Sequence, residues 1–155
     1  MPSRLAPSSI YDVEYRTAIV ALVFERFAKP PSPADHRKMS SARLKLLQFV
    51  TLRPWLLPVI ERWGDSGEQG SLALSRSLRI RRGFLSDTAH DDVVNYLVAC
   101  EVFLRKEAQL IGGKNAKALK DIAKSITETD LFASERNVIG QLANIKISNG
   151  MLEGW

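Results

Sequence analysis

Hydrophobic and polar positions divide the chain into amphipathic segments punctuated by prolines and glycines. From Ser9 to about Ala28, Ile10, Val13, Ala18, Ile19, Val20, Leu22, Val23, Phe24 and Phe27 cover more than one helical face. A helix so apolar is expected to be central, packed on its own core and open to a partner. Ser9 is a suitable N-cap, and Asp12 and Glu14 fall in the first turns, where the helix dipole favours anions. Residues 1–8 contain two prolines and little apolar material, and are expected to form a loose arm.

Pro30, Pro31 and Pro33 force a break, because proline lacks an amide donor and restricts the residue before it. The next helix is expected to begin between His36 and Ser40. Met39, Ala42, Leu46, Phe49 and Val50 carry its apolar stripe, with Arg43 and Lys45 away from it. Pro54 suits the first position of a further helix through Trp63, with Pro58 either kinking or starting it. Gly64-Asp65-Ser66-Gly67-Glu68-Gln69-Gly70 reads as a flexible loop and the best internal boundary. It separates a helical subdomain, 9–63, from a second, 71–155, the two sharing one core.

Leu72, Leu74, Leu78 and Ile80 alternate imperfectly with polar residues, and a short helix and a strand fit equally well. Thr88 is placed as an N-cap, with Asp91 completing an approximate capping box. Val93, Val94, Tyr96, Leu97, Val98 and Cys100 supply the buried side of that helix. Val102 and Leu104, then Leu110 and Ile111, predict two short strands around a turn near Lys106 to Ala108, closed by Gly112-Gly113. Helix followed by tight hairpin is the order of a winged helix. The expected fold is therefore mainly α, a helical N-terminal half followed by a winged-helix-like unit with a short β-hairpin.

Residues 114–126 form an amphipathic helix. Leu119, Ile122 and Ile126 share one face with Ala116 and Ala123, opposite Lys117, Lys120 and Lys124. Ser134 is placed as the cap of a last helix holding Val138, Ile139 and Leu142. In the tail, Met151, Leu152 and Trp155 are expected to dock on this protein or on a partner.

A hydrophobic content of 45% in 155 residues suffices for a core without staples. With Cys100 the only cysteine, no internal disulfide can form and paired-cysteine zinc spacings are absent. No signal-peptide pattern or bilayer-length apolar run is present, and the expected location is the cytoplasm. The net charge of +5 is unevenly distributed. Residues 84–113 are acidic, while 64–83 and 114–126 on either side are basic.

Chemistry-bearing constellations are sparse. His90-Asp91-Asp92 has no further ligand at metal spacing, and its acids already suit a helix start. His36 reads as a surface residue and Cys100 as a core residue. No serine sits in a nucleophile elbow, and Gly112-Gly113-Lys114 lacks the rest of a phosphate loop. Neither a catalytic site, a metal nor a cofactor is expected. Arg76, Arg79, Arg81 and Arg82 make a compact cationic edge, compatible with phosphates, an acidic protein or solvent alone. The acidic helix start at Asp87, Asp91 and Asp92 disfavours base reading by that helix and suits protein contacts.

Three stretches carry a family resemblance: Tyr15 to Phe27, Ser41-Ala42-Arg43-Leu44-Lys45-Leu46-Leu47-Gln48-Phe49, and Ile80-Arg81-Arg82-Gly83-Phe84-Leu85 leading into Asp91-Asp92-Val93-Val94-Asn95-Tyr96-Leu97. Across about 15–125 the chain resembles, in pattern, the middle components of bacterial three-component ABC ATPase systems with SMC-like ATPases, including Lamassu-type anti-phage defence. The resemblance implies a winged-helix-like adaptor that binds the ATPase, helps assemble the complex on DNA, and holds or regulates an effector. The expectation is a non-enzymatic adaptor subunit of such a defence complex. Tyr15, Ile19, Val23, Phe27, Met151, Leu152 and Trp155 would form its partner interface. Arg76, Arg79, Arg81, Arg82, Lys117, Lys120 and Lys124 would meet double-stranded DNA or an acidic partner. The alternative is a winged-helix transcriptional regulator; a small hydrolase or nuclease is a third reading without a site.

Overall fold

The computed structural model describes residues 13–28, 37–66, 82, 86–145 and 147. Six α-helices and a three-stranded antiparallel sheet are formed among them. Helix α1, Val13–Phe27, lies at the centre, with Arg16 and the run Ala18 to Phe24 all buried. It packs against four other helices, and one apolar cluster links both halves of the chain. Its all-round apolar surface is therefore consumed internally.

Strand β1, Lys38–Ser40, occupies the place expected to begin a helix. Ser40 is extended and turns the chain into helix α2, Ser41–Thr51, by accepting a hydrogen bond from the Arg43 amide at 3.2 Å. A 3₁₀ turn, Pro54–Leu56, leads into helix α3, Leu57–Ser66. Pro54 starts the turn and Pro58 lies in the first turn of α3, where a missing amide costs nothing. The expected loop thus begins late, because Gly64, Asp65 and Ser66 continue α3. The alternatives for 72–81, the arm 1–8, Ser9 and His36 lie outside the described residues.

Helix α4, Thr88–Ala99, starts one residue earlier than expected, with Asp87 rather than Thr88 at the N-cap position. Asp87 makes no side-chain cap because its carboxylate is used elsewhere. His90, Val93, Val94 and Leu97 form its buried stripe at i, i+3, i+4 and i+7. Tyr96 and Cys100 fall on the other side and are exposed, so Cys100 is not a core residue.

Strands β2, Phe103–Lys106, and β3, Gln109–Gly112, form the expected hairpin. Its two-residue turn places Glu107 in the left-handed region at φ 56°. β3 is central, pairing Leu110 with both Arg105 on β2 and Met39 on β1. The sheet crosses the expected 9–63 and 71–155 boundary. Helix, strand, helices and hairpin, with sheet order β1-β3-β2, are compatible with a winged-helix-like arrangement.

Phe24 and Phe103 meet with ring centroids 5.0 Å apart, fastening α1 to the hairpin. After it, Gly113 is held close against the preceding bend: a Cβ there would lie 2.5 Å from the Glu101 carbonyl oxygen. Helix α5, Lys117–Glu128, buries Leu119 and Ile126 against the core. Helix α6, Ala133–Leu142, begins before Ser134 and after a left-handed Phe132 at φ 55°, so Ser134 is not its cap. Beyond α6, the chain returns to α2, where Arg43 Nη2 donates to the Ile147 carbonyl at 2.7 Å.

Candidate functional site

Four polar residues buried in this core, Arg16, Gln48, Asp87 and His90, converge beneath the start of α4. Arg16, the one charged residue among those buried on α1, donates from Nη1 to Asp87 Oδ2 at 3.0 Å and to Gln48 Oε1 at 3.1 Å. Arg16 and Asp87 form a salt bridge with side chains 1% and 3% exposed. Gln48 Oε1 also meets His90 Nδ1. An arginine can only donate, so the Gln48 atom facing it is the oxygen, and His90 must donate from Nδ1. His90 Nε2 is then the acceptor nitrogen. Burial pushes the His90 pKa down to about 4, with Asp87 and Asp91 opposing and Lys45 and Arg16 adding to the fall. The imidazole is neutral near pH 7.

Above this network lies an open groove of about 480 Å³, lined by Ser41, Ala42 and Lys45 of α2, His90, Asp91, Val94 and Asn95 of α4, and Arg105 and Leu110 of the hairpin. Lys45 Nζ pairs with Asp91 Oδ1 at 3.1 Å, and Arg105 Nη2 donates to Asn95 Oδ1 at 2.9 Å. The groove therefore has an apolar floor, two cations, one carboxylate and a neutral imidazole.

The outward surface of α4 presents Thr88, Asp92, Asn95, Tyr96 and Ala99. Tyr96 is 58% exposed, and α4 contains neither lysine nor arginine. On the neighbouring β2, Leu104 is 53% exposed, followed by exposed Arg105 and Lys106.

The expected partner and DNA residues are dispersed. Ile19 and Val23 are fully buried within the chain, so they cannot form a partner surface. Their face of α1 is covered by this protein's own helices. Tyr15 is half-buried, donates to Glu135 Oε2 at 2.6 Å and meets Phe132 edge-on. Burial, with the Glu135 hydrogen bond and charge, raises its hydroxyl pKa. Phe27 is half-buried against the core. Arg82 is helical and exposed, while Arg76, Arg79, Arg81, Met151, Leu152 and Trp155 lie outside the described residues. Lys117, Lys120 and Lys124 are exposed on α5, but at 100° per residue Asp121 and Glu128 share their side. That face is mixed rather than singly cationic.

Sequence reasoning missed the Arg16–Asp87–Gln48–His90 network. Its signals were Arg16 beside the apolar run Ala18 to Phe24 of α1, a glutamine inside Leu46-Leu47-Gln48-Phe49-Val50, and a histidine on the stripe of Val93, Val94 and Leu97. Among the described residues, no group of three metal-ligating side chains gathers, and no helix is long and apolar enough to cross a membrane. No protein-family model matches the chain, and neither the curated proteins nor the solved structures include a match.

Proposed function

We propose that this protein is a non-enzymatic adaptor subunit whose α4 and hairpin dock on a protein partner. The observation that carries this reading is the exposed face of α4, which offers Tyr96, Asn95 and Asp92 and contributes no cation of its own, Arg105 on Asn95 coming from the hairpin. Base-reading helices sit among phosphates, where Asp92 would be repelled and no residue of α4 would compensate. A half-exposed tyrosine amid small polar residues suits a protein interface, where tyrosine anchors are enriched. The resemblance to middle components of three-component systems names the partner class: an SMC-like ATPase, with an effector held in the same complex.

Co-expression with the products of its neighbouring genes tests the reading, an SMC-like ATPase being the expected partner. The adaptor co-purifies with that ATPase at a fixed ratio; a protein that remains monomeric in its presence contradicts it.

A regulator that binds DNA directly is the second reading, favoured by Arg105 and Lys106 at the hairpin. It requires duplex binding by the isolated chain that falls when both become alanine, with a shallower salt dependence.

A further inference from the structure

We propose that the groove between α2, α4 and the hairpin seats an acidic peptide segment of the partner, taking a carboxylate on Lys45 and Arg105 and a backbone N–H on His90 Nε2. This rests on the adaptor reading and specifies its chemistry.

The groove is built for such an occupant. His90 lines the groove at 2% exposure with its Nδ1 committed to Gln48, which leaves the acceptor Nε2 as the ring nitrogen outside that network. A neutral imidazole acceptor needs a donor, which a phosphate diester or a simple carboxylate does not supply. A peptide offers an N–H at every residue. Lys45 and Arg105 complement an acidic side chain close to that backbone, and Val94 and Leu110 leave an apolar floor for aliphatic neighbours.

Asp91 supplies an internal imitation of the ligand. Its carboxylate sits on Lys45 at 3.1 Å while its side chain is 49% exposed, so an incoming carboxylate competes with it for the same ammonium group. The groove is thus occupied at low strength by its own rim. Removing that competitor should tighten binding, an effect that a merely structural Lys45–Asp91 pair would not produce.

The test uses the full chain, labelled with nitrogen-15, titrated with a hexapeptide alternating leucine and glutamate, its leucine–glutamine counterpart, free glutamate and a DNA duplex. The acidic hexapeptide should shift the amide resonances of Ala42, Lys45 and Asn95. Lys45→Met or Arg105→Gln should weaken it at least tenfold, and Asp91→Asn should tighten it severalfold. His90→Asn keeps a donor towards Gln48 but lacks the Nε2 position, and should also weaken it. Thermal melts confirm that each variant is folded. Absence of binding at millimolar peptide, equal binding of the glutamine peptide, insensitivity to these variants, or duplex or free glutamate binding at the same residues as tightly each overturns the proposal. Co-purification of the Lys45→Met variant with the ATPase at wild-type level overturns the groove assignment and leaves the adaptor reading standing. Loss of co-purification by the wild-type chain, with peptide binding intact, does the reverse.

Discussion

Arg16 and Asp87, 71 positions apart, meet as a buried ion pair with Nη1 and Oδ2 separated by 3.0 Å. The pair joins the central helix α1 to the residue that opens α4. It thereby sets where the exposed face of α4 begins. Asp87 gives up a capping bond to make this contact, so the helix start is fastened to the core through a side chain instead of its own backbone.

Breaking the pair from one side should be costly, because the remaining charge stays out of water. Asp87→Asn or Arg16→Met is expected to lower stability by about 3–5 kcal/mol. Urea denaturation of each variant checks this. A change below about 1 kcal/mol, the range of exposed pairs, would show that the pair is not buried.

His90 ties stability to pH. Its pKa is about 4 in the folded chain and about 6.5 when unfolded, so the unfolded state takes up the proton first as pH falls. Stability from this group is fully present above about pH 6.5 and is lost progressively down to about pH 4, by up to about 3 kcal/mol. Denaturation midpoints of wild type and His90→Asn across that interval should converge at the acidic end. Parallel curves would contradict the account.

Gln48→Glu should reverse the histidine's behaviour. Gln48 Nε2 has no hydrogen-bond partner among the described residues, whereas a carboxylate would accept from Arg16 and His90 without leaving a donor unmet. The added negative charge favours the imidazolium, and the His90 pKa is expected to rise above its ordinary value of about 6.5. Proton NMR titration of the imidazole gives the answer, and a pKa still near 4 would dissolve the proposed network.

Gly113→Ala tests the close passage behind the hairpin. The added methyl would approach the Glu101 carbonyl oxygen to 2.5 Å, and backbone must move to admit it. A loss of about 1–3 kcal/mol is expected. Gly140→Ala, with open space around the Cβ, serves as the control and should be neutral or mildly stabilising.

Local periodicity revealed much of this architecture. The faces of α5, the β2–β3 hairpin and the all-round apolar character of α1 each depend on residues within a dozen positions, and each was legible. Strand β1 was not, because three residues hold too little alternation and their partner β3 lies some 70 positions away. The outward side of α4 was equally hidden. Tyr96 and Cys100 share a helical spacing, and only the core that claims Val93, Val94 and Leu97 shows which side faces out. The buried network drew Arg16 from α1, Gln48 from α2, and Asp87 and His90 from the start of α4, so no window contained it. In α1 the apolar pattern was read correctly as central but wrongly as shared. Ile19 and Val23 are spent on this chain's own helices, which is why the proposed docking surface lies on α4 instead.

The central claim is that the exposed α4 face meets protein. Titration calorimetry of the proposed partner, an SMC-like ATPase, with wild type and Tyr96→Glu tests it most directly, alongside melts and duplex-DNA binding. The variant should keep its melting temperature and lose at least tenfold in affinity, about 1.4 kcal/mol. Unchanged affinity for the ATPase, with binding to duplex DNA lost instead, would contradict the account.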